Sequence, residues 1–204
     1  MIIIGLTGGI GTGKSTASRF LHELGAVVLD ADSIGHETYM QGTELYSALI
    51  KVFGQDIVGD KGQLNRSKLA DIVFADETIL TKLNSMVHPH IKKHIKKVIR
   101  TLDKEKTSMV VIDAAILIEA GWTDLVDEVW VLTAGKKTIH DRLSDKFSSN
   151  MDGALKRMEF QMSQEELINK ADVVIDNDGS IGALKAQVGL LFNNRISLAG
   201  ENNN

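Results

Sequence analysis

No cysteine occurs in the 204 residues, which excludes a disulfide framework, thiolate metal sites and cysteine nucleophiles, and fits a reducing compartment. Long apolar runs are missing too. The opening stretch Ile2 to Leu6 is far too short for a signal sequence, and nothing later approaches a membrane span, so a cytoplasmic protein with no membrane partner is expected. There is no excess of basic charge: the formal net charge is -4, which argues against nucleic acid as a partner and requires any phosphate recognition to be local. Hydrophobic residues make up 43% of the chain, enough for one sizeable core with one inserted subdomain. A monomer or weak homo-oligomer is expected.

What is present begins at the first residues. The apolar run Ile2 to Leu6 leads into Gly8-Gly9-Ile10-Gly11-Thr12-Gly13-Lys14-Ser15-Thr16, a full match to the phosphate-binding loop pattern. Glycines let the backbone wrap with its N–H groups pointing inward, and the succeeding helix adds partial positive charge where a polyphosphate would sit. Gly9, Gly11, Thr12, Gly13, Lys14, Ser15 and Thr16 are therefore the candidate nucleotide-binding residues. Lys14 is placed to reach the β- and γ-phosphates of ATP, and the Ser15 hydroxyl to ligate Mg²⁺. The setting agrees, because Phe20, Leu21 and Leu24 recur at helical spacing directly after the loop. The competing reading is a glycine-rich turn after a buried strand.

Further β-branched runs occur at Ala26 to Asp30, Met109 to Asp113, Glu128 to Leu132 and Asp172 to Asp176. Short, continuous and apolar, they have the character of parallel strands covered by helices on both faces, which predicts a doubly wound α/β fold with a five-stranded parallel sheet. Ligands of such sheets bind beyond the carboxyl ends of the strands. Acids stand at those ends. Asp32, just past the second strand, could orient an acceptor hydroxyl and take its proton, and Asp30 could help order metal or loop. Asp113 has the hydrophobic-then-Asp form of a residue holding Mg²⁺ directly or through water. For each of them a helix cap or turn is the alternative role.

Between the second and third strands lies a helical insertion too long for a simple crossover. Helices are expected over Gly42 to Phe53, Arg66 to Phe74 and Ile79 to Met86, and the sole proline, Pro89, is expected to start another, to about Asp103. That last helix carries Ile91, Ile95, Val98, Ile99 and Leu102 on one face and Lys92, Lys93, Lys96, Lys97 and Arg100 largely on the rest. The basic face could receive an acidic substrate or simply be solvated. His90 and His94, one turn apart, could hold a metal, although no third ligand is evident.

Taken together these residues resemble the dephospho-coenzyme A kinase family. The resemblance rests on the phosphate loop, on Leu24-Gly25-Ala26 and Asp30-Ala31-Asp32-Ser33-Ile34-Gly35-His36, and on Gly62-Gln63-Leu64-Asn65-Arg66-Ser67-Lys68-Leu69. It continues through His88-Pro89-His90-Ile91, Gln161-Met162 and Ala171-Asp172-Val173-Val174-Ile175-Asp176-Asn177-Asp178-Gly179-Ser180. It implies a P-loop kinase-like fold and phosphorylation of the ribose 3′-hydroxyl of dephospho-coenzyme A by ATP. It implies Asp32 as base or orienting group, Lys14 and Ser15 on ATP and Mg²⁺, and Arg66 and His88 in the acceptor site. Asn177 and Gly179 would lie near the adenine, and Arg142 on a lid over the phosphates. The implied layout is a nucleotide-binding core of residues 1–32, 106–141 and 162–200, a substrate-binding insertion over 33–105, a lid over 142–161 and a disordered tail over 201–204.

The chain departs from the family in two places. Asp113-Ala114-Ala115-Ile116-Leu117-Ile118-Glu119 lacks the usual proline after the strand, and Lys146-Phe147 replaces an Arg-Asp pair in the lid. Lysine keeps the charge but loses the fork geometry of arginine. Arg157 is a second candidate lid cation, beyond the polar break Ser148-Ser149-Asn150-Met151-Asp152-Gly153. Another small-molecule kinase, or a nucleotide binder without transfer chemistry, are the alternatives.

Overall fold

A computed structural model describes residues 1–147, 158 and 160–201, without the side chains of 146, 147 and 199–201. Its elements run β1 (Ile2–Gly8), α1 (Lys14–Glu23), β2 (Val27–Asp30), α2 (Ala31–Thr38), α3 (Glu44–Phe53), α4 (Arg66–Val73) and α5 (Glu77–Lys104). Then come β3 (Met109–Asp113), β4 (Glu128–Thr133), α6 (Lys136–Phe147), α7 (Gln164–Ile168), β5 (Val173–Asp176) and α8 (Ile181–Glu201). The lid break 148–153 and Arg157 lie outside the described residues, as do 202–204 of the expected tail, whose first residue, Glu201, closes α8. Among the described residues no helix is long and apolar enough to cross a membrane.

The chain divides into two compact units, Met1–Asp30 with Ile99–Asn204, and Ala31–Val98, against the 33–105 expected for the insertion. In the first unit the strands form one sheet in the order β2-β3-β1-β4-β5, every pairing parallel. The apolar runs predicted this, since a strand such as β3, buried at all five residues, has no polar face to offer water. Ile4, Leu6, Met109, Val111, Trp130 and Leu132 of the sheet pack with Phe20 and Leu21 of α1 and Leu184 and Val188 of α8. Carboxylates finish exposed backbone at the sheet's amino end: Ile3 N–H donates to Asp127 at 2.7 Å and Val129 N–H to Asp172 at 2.7 Å. The opposite, carboxyl end carries Asp30 and Asp113 as register partners on β2 and β3.

The second unit is built on Leu45 and Leu49 of α3, Leu69 and Val73 of α4, and Val87, Ile91 and Ile95 of α5, all buried. Gly35 of α2 has no Cβ where one would come within 3.1 Å of Ile91 Cδ1, so the two helices approach closely there. Here the structure corrects the sequence reading: Pro89 does not start a helix but lies inside α5, which is one element of 28 residues rather than two. An interior proline forfeits the hydrogen bond to the carbonyl of Ser85 and crowds it, at about 3 kcal/mol. Burial of Val87 before the proline and of Ile91 and Ile95 after it, each contributing about 1.5–3 kcal/mol, keeps both halves on one axis while Pro89 faces water.

Candidate active site

The loop between β1 and α1 takes the shape its glycines permit. Gly11 and Gly13 have φ of +86° and +98°, a region costly for any residue with a side chain, and the helix starts at once with Lys14. Thr12, buried, closes the turn by donating its hydroxyl to the carbonyl of Gly9 at 2.8 Å. A helix N-terminus that carries no side-chain cap leaves its first N–H groups for an anion.

Lys14 reaches across the carboxyl edge of the sheet and forms an ion pair with Asp113, at the end of β3. The chain leaves β3 through a series of turns rather than an α-helix, and Asp113 meets Lys14 in the first turn of α1, next in sequence to Ser15. The turn after Asp113 holds without the family's proline. Ala114 N–H donates to the carbonyl of Leu6 at 3.1 Å, and the Thr7 hydroxyl to that of Ala115 at 3.3 Å. Among the described residues no three histidine, cysteine or carboxylate side chains form a metal cluster, and none joins His90 and His94 as a third ligand. Magnesium does not require one: it binds through few protein oxygens and keeps its remaining positions for water and phosphate. The Ser15 hydroxyl and Asp113 carboxylate, with Asp30 the register partner of Asp113, are hard oxygen donors of the type that fits.

The far side of the loop is fastened by two residues distant in sequence. Asn177, just past β5 and buried, donates its side-chain amide to the carbonyl of Thr12 at 2.7 Å. Arg142, in α6, donates through one nitrogen to the carbonyls of Gly11 and Thr12 at 3.3 Å and through the other to the carbonyl of Asn177 at 2.7 Å. Arg142 thus lies within a helix of the core unit, against the loop backbone. Asp178 accepts from Gly135 N–H at 2.7 Å, and that bond, followed by one from the Thr138 hydroxyl, holds its carboxyl below the ordinary range. Gly179 comes directly after, ahead of α8.

In the second unit Asp32 is the second residue of α2, exposed and inside the helix's first turn. Arg66 opens α4 directly after Asn65, whose side chain caps the helix by accepting from Lys68 N–H at 3.1 Å. Tyr39 links the two: burial raises its hydroxyl above the ordinary 10.0, while the Arg66 guanidinium pulls it down and the Asp32 carboxylate pushes it up. Its ring stands edge-on to His36 at 5.8 Å. Sequence reasoning missed Tyr39, although seven residues beyond Asp32, two helical turns, was the signal available. His88 is half-buried in α5, and burial holds its imidazole below 6.5 and therefore neutral at pH 7.

Comparison with known proteins agrees with this geometry. The sequence pattern of the dephospho-CoA kinase family matches residues 2–183. The dephospho-CoA kinase of Carboxydothermus hydrogenoformans is 43% identical over 186 residues, covering 91% of this chain and 90% of its own. That of Dehalococcoides mccartyi is 37% identical over 199 residues, covering 98% and 100%. Among solved structures, TT1252 from Thermus thermophilus is 30% identical with a TM-score of 0.78, covering 93% of this chain and 96% of its own. Dephospho-CoA kinase from Campylobacter jejuni shares the fold at a TM-score of 0.70 and 23% identity, over 98% of both chains. With the phosphate loop, the Lys14–Asp113 pair at the sheet's carboxyl edge and a match spanning both units, the chain belongs to the dephospho-CoA kinase family.

Proposed function

We propose that the chain carries out its family's reaction with the residues described above: ATP and dephospho-coenzyme A give ADP and coenzyme A, phosphorylated at the ribose 3′-hydroxyl. The backbone of residues 9–16 cradles the polyphosphate, and Lys14 leaves its carboxylate partner to follow charge onto the transferring group. Asp32 orients the 3′-hydroxyl and takes its proton as the oxygen bonds to the γ-phosphorus and the bond to the β-phosphate oxygen breaks, leaving that electron pair on ADP. Arg66 and neutral His88 hold the acceptor, with Tyr39 electrostatically coupled to both Arg66 and Asp32. The loop from Asn177 to Gly179 flanks the adenine, and Arg142 lies at that end of the phosphate loop. Ser15 and Asp113 would hold Mg²⁺, which would supply neutralisation of phosphate charge when bound.

The observation that carries the nucleotide site is the pairing of Lys14 with Asp113 in a complete phosphate loop. A net charge of -4 supports a small-molecule substrate rather than nucleic acid, and we take the enzyme to be cytoplasmic and a monomer or weak homo-oligomer. Incubation of purified protein with ATP, Mg²⁺ and a panel of acceptors tests the reading. Coenzyme A is expected as the product, and transfer to a different alcohol with none to dephospho-coenzyme A would overturn it.

A further inference from the structure

The side chain of Asn177 is committed in a way that its neighbourhood to adenine does not explain. Its amide nitrogen donates to the carbonyl of Thr12 at 2.7 Å, and both residues are buried, with 5% and 1% of their surface exposed. A carbonyl can only accept, so the side chain is oriented with its nitrogen toward Thr12. Room for this bond comes from Gly13: a Cβ there would collide with the same amide nitrogen. The carbonyl of Asn177 is in turn held by Arg142 at 2.7 Å, while the second guanidinium nitrogen bonds Gly11 and Thr12 at 3.3 Å. Three segments far apart in sequence, the phosphate loop, the end of β5 and the middle of α6, are joined at the peptide between Thr12 and Gly13.

That peptide matters because its carbonyl and its N–H are one rigid plane. Holding the Thr12 carbonyl outward fixes the direction of the Gly13 N–H, one of the loop N–H groups that the phosphate reading requires to point inward. We infer that Asn177 is a positioning residue for the phosphate loop, setting the orientation of the Thr12–Gly13 peptide toward the nucleotide's phosphates, with Arg142 as its partner, rather than a reader of the adenine base. The inference rests on the nucleotide-site reading above and adds to it which part of the nucleotide Asn177 serves.

The two roles separate with a ligand that has no base. Calorimetric titration with Mg²⁺ and inorganic tripolyphosphate, and with ATP and GTP, is carried out on the parent, on Asn177→Asp, which turns an oxygen against the Thr12 carbonyl, and on Asn177→Ala, which only deletes the donor. Affinity for tripolyphosphate is expected to fall ~10-fold or more in Asn177→Asp and less in Asn177→Ala, the scale of reversing or deleting one buried hydrogen bond. The ratio of ATP to GTP affinity is expected to stay at the parental value. A variant that merely folds poorly lowers the number of sites titrated and leaves the dissociation constant alone, so misfolding does not imitate the result. Parental tripolyphosphate affinity in both variants, or a collapsed ATP-to-GTP ratio, overturns the inference and returns Asn177 to base recognition. A parent that binds neither tripolyphosphate nor ATP refutes the nucleotide site itself, and the inference with it.

Discussion

Removing Lys14 while keeping Asp113 tests the centre of the site. The two side chains are only 15% and 11% exposed, so water screens the pair weakly, and Lys14→Ala strands a carboxylate that burial disfavours. Breaking a fully buried pair from one side costs about 3–5 kcal/mol, and the loop's partial access to water reduces the figure expected here to about 2 kcal/mol. In a chain of 204 residues that is a fall in Tm of roughly 4–8 °C. Adding Asp113→Asn removes the stranded charge and should recover at least about 1 kcal/mol, the coupling between the two positions. Turnover should behave otherwise. Lys14→Ala loses ~10²-fold or more in kcat, because a group that stabilises transition-state charge is gone, and the second substitution restores none of it. Denaturant unfolding of the parent, both single variants and the double variant, alongside single-turnover phosphorylation, supplies every number required. Stabilities that simply add would refute the coupling, and near-parental turnover in folded Lys14→Ala would remove Lys14 from the reaction.

Asp32→Asn should lower kcat by ~10²–10⁴-fold with ATP affinity near parental, whereas unchanged single-turnover phosphorylation would leave Asp32 only its role at the start of α2. His88 is held below 6.5 by burial, so the unfolded chain binds its proton more readily. Its contribution to stability is therefore complete above about pH 6.5 and is lost as the pH falls below that value. His88→Phe should flatten the decline of unfolding free energy from about pH 7 to 5, and an unchanged slope would show that other groups set it. Pro89→Ala restores the missing N–H inside α5 and should stabilise the protein by about 1–3 kcal/mol, which thermal unfolding would read as a higher Tm. A lower Tm would mean that the second unit is shaped to the proline.

The sequence by itself determined the class of fold and the chemistry of the nucleotide end. Continuous β-branched runs at Met109 to Asp113 and Glu128 to Leu132 have no solvent-facing alternation, so they had to be parallel strands between helices, and they are. The phosphate loop was equally legible, because its glycines, lysine and serine lie within nine consecutive residues and their spacing alone encodes the backbone shape. Local signals failed at Pro89, where a strong helix breaker is overruled by burial of Val87, Ile91 and Ile95. Only the tertiary structure could decide that. The same holds for the partner of Lys14, 99 residues away, for the Thr12 carbonyl meeting an amide 165 residues later, and for Arg142 against the loop backbone. The coupling of Tyr39 to Arg66 and Asp32 is of this kind too. Each of these pairings depends on which strand lies beside which and on how helices pack, information carried by the burial of many side chains at once and by no single stretch of the chain.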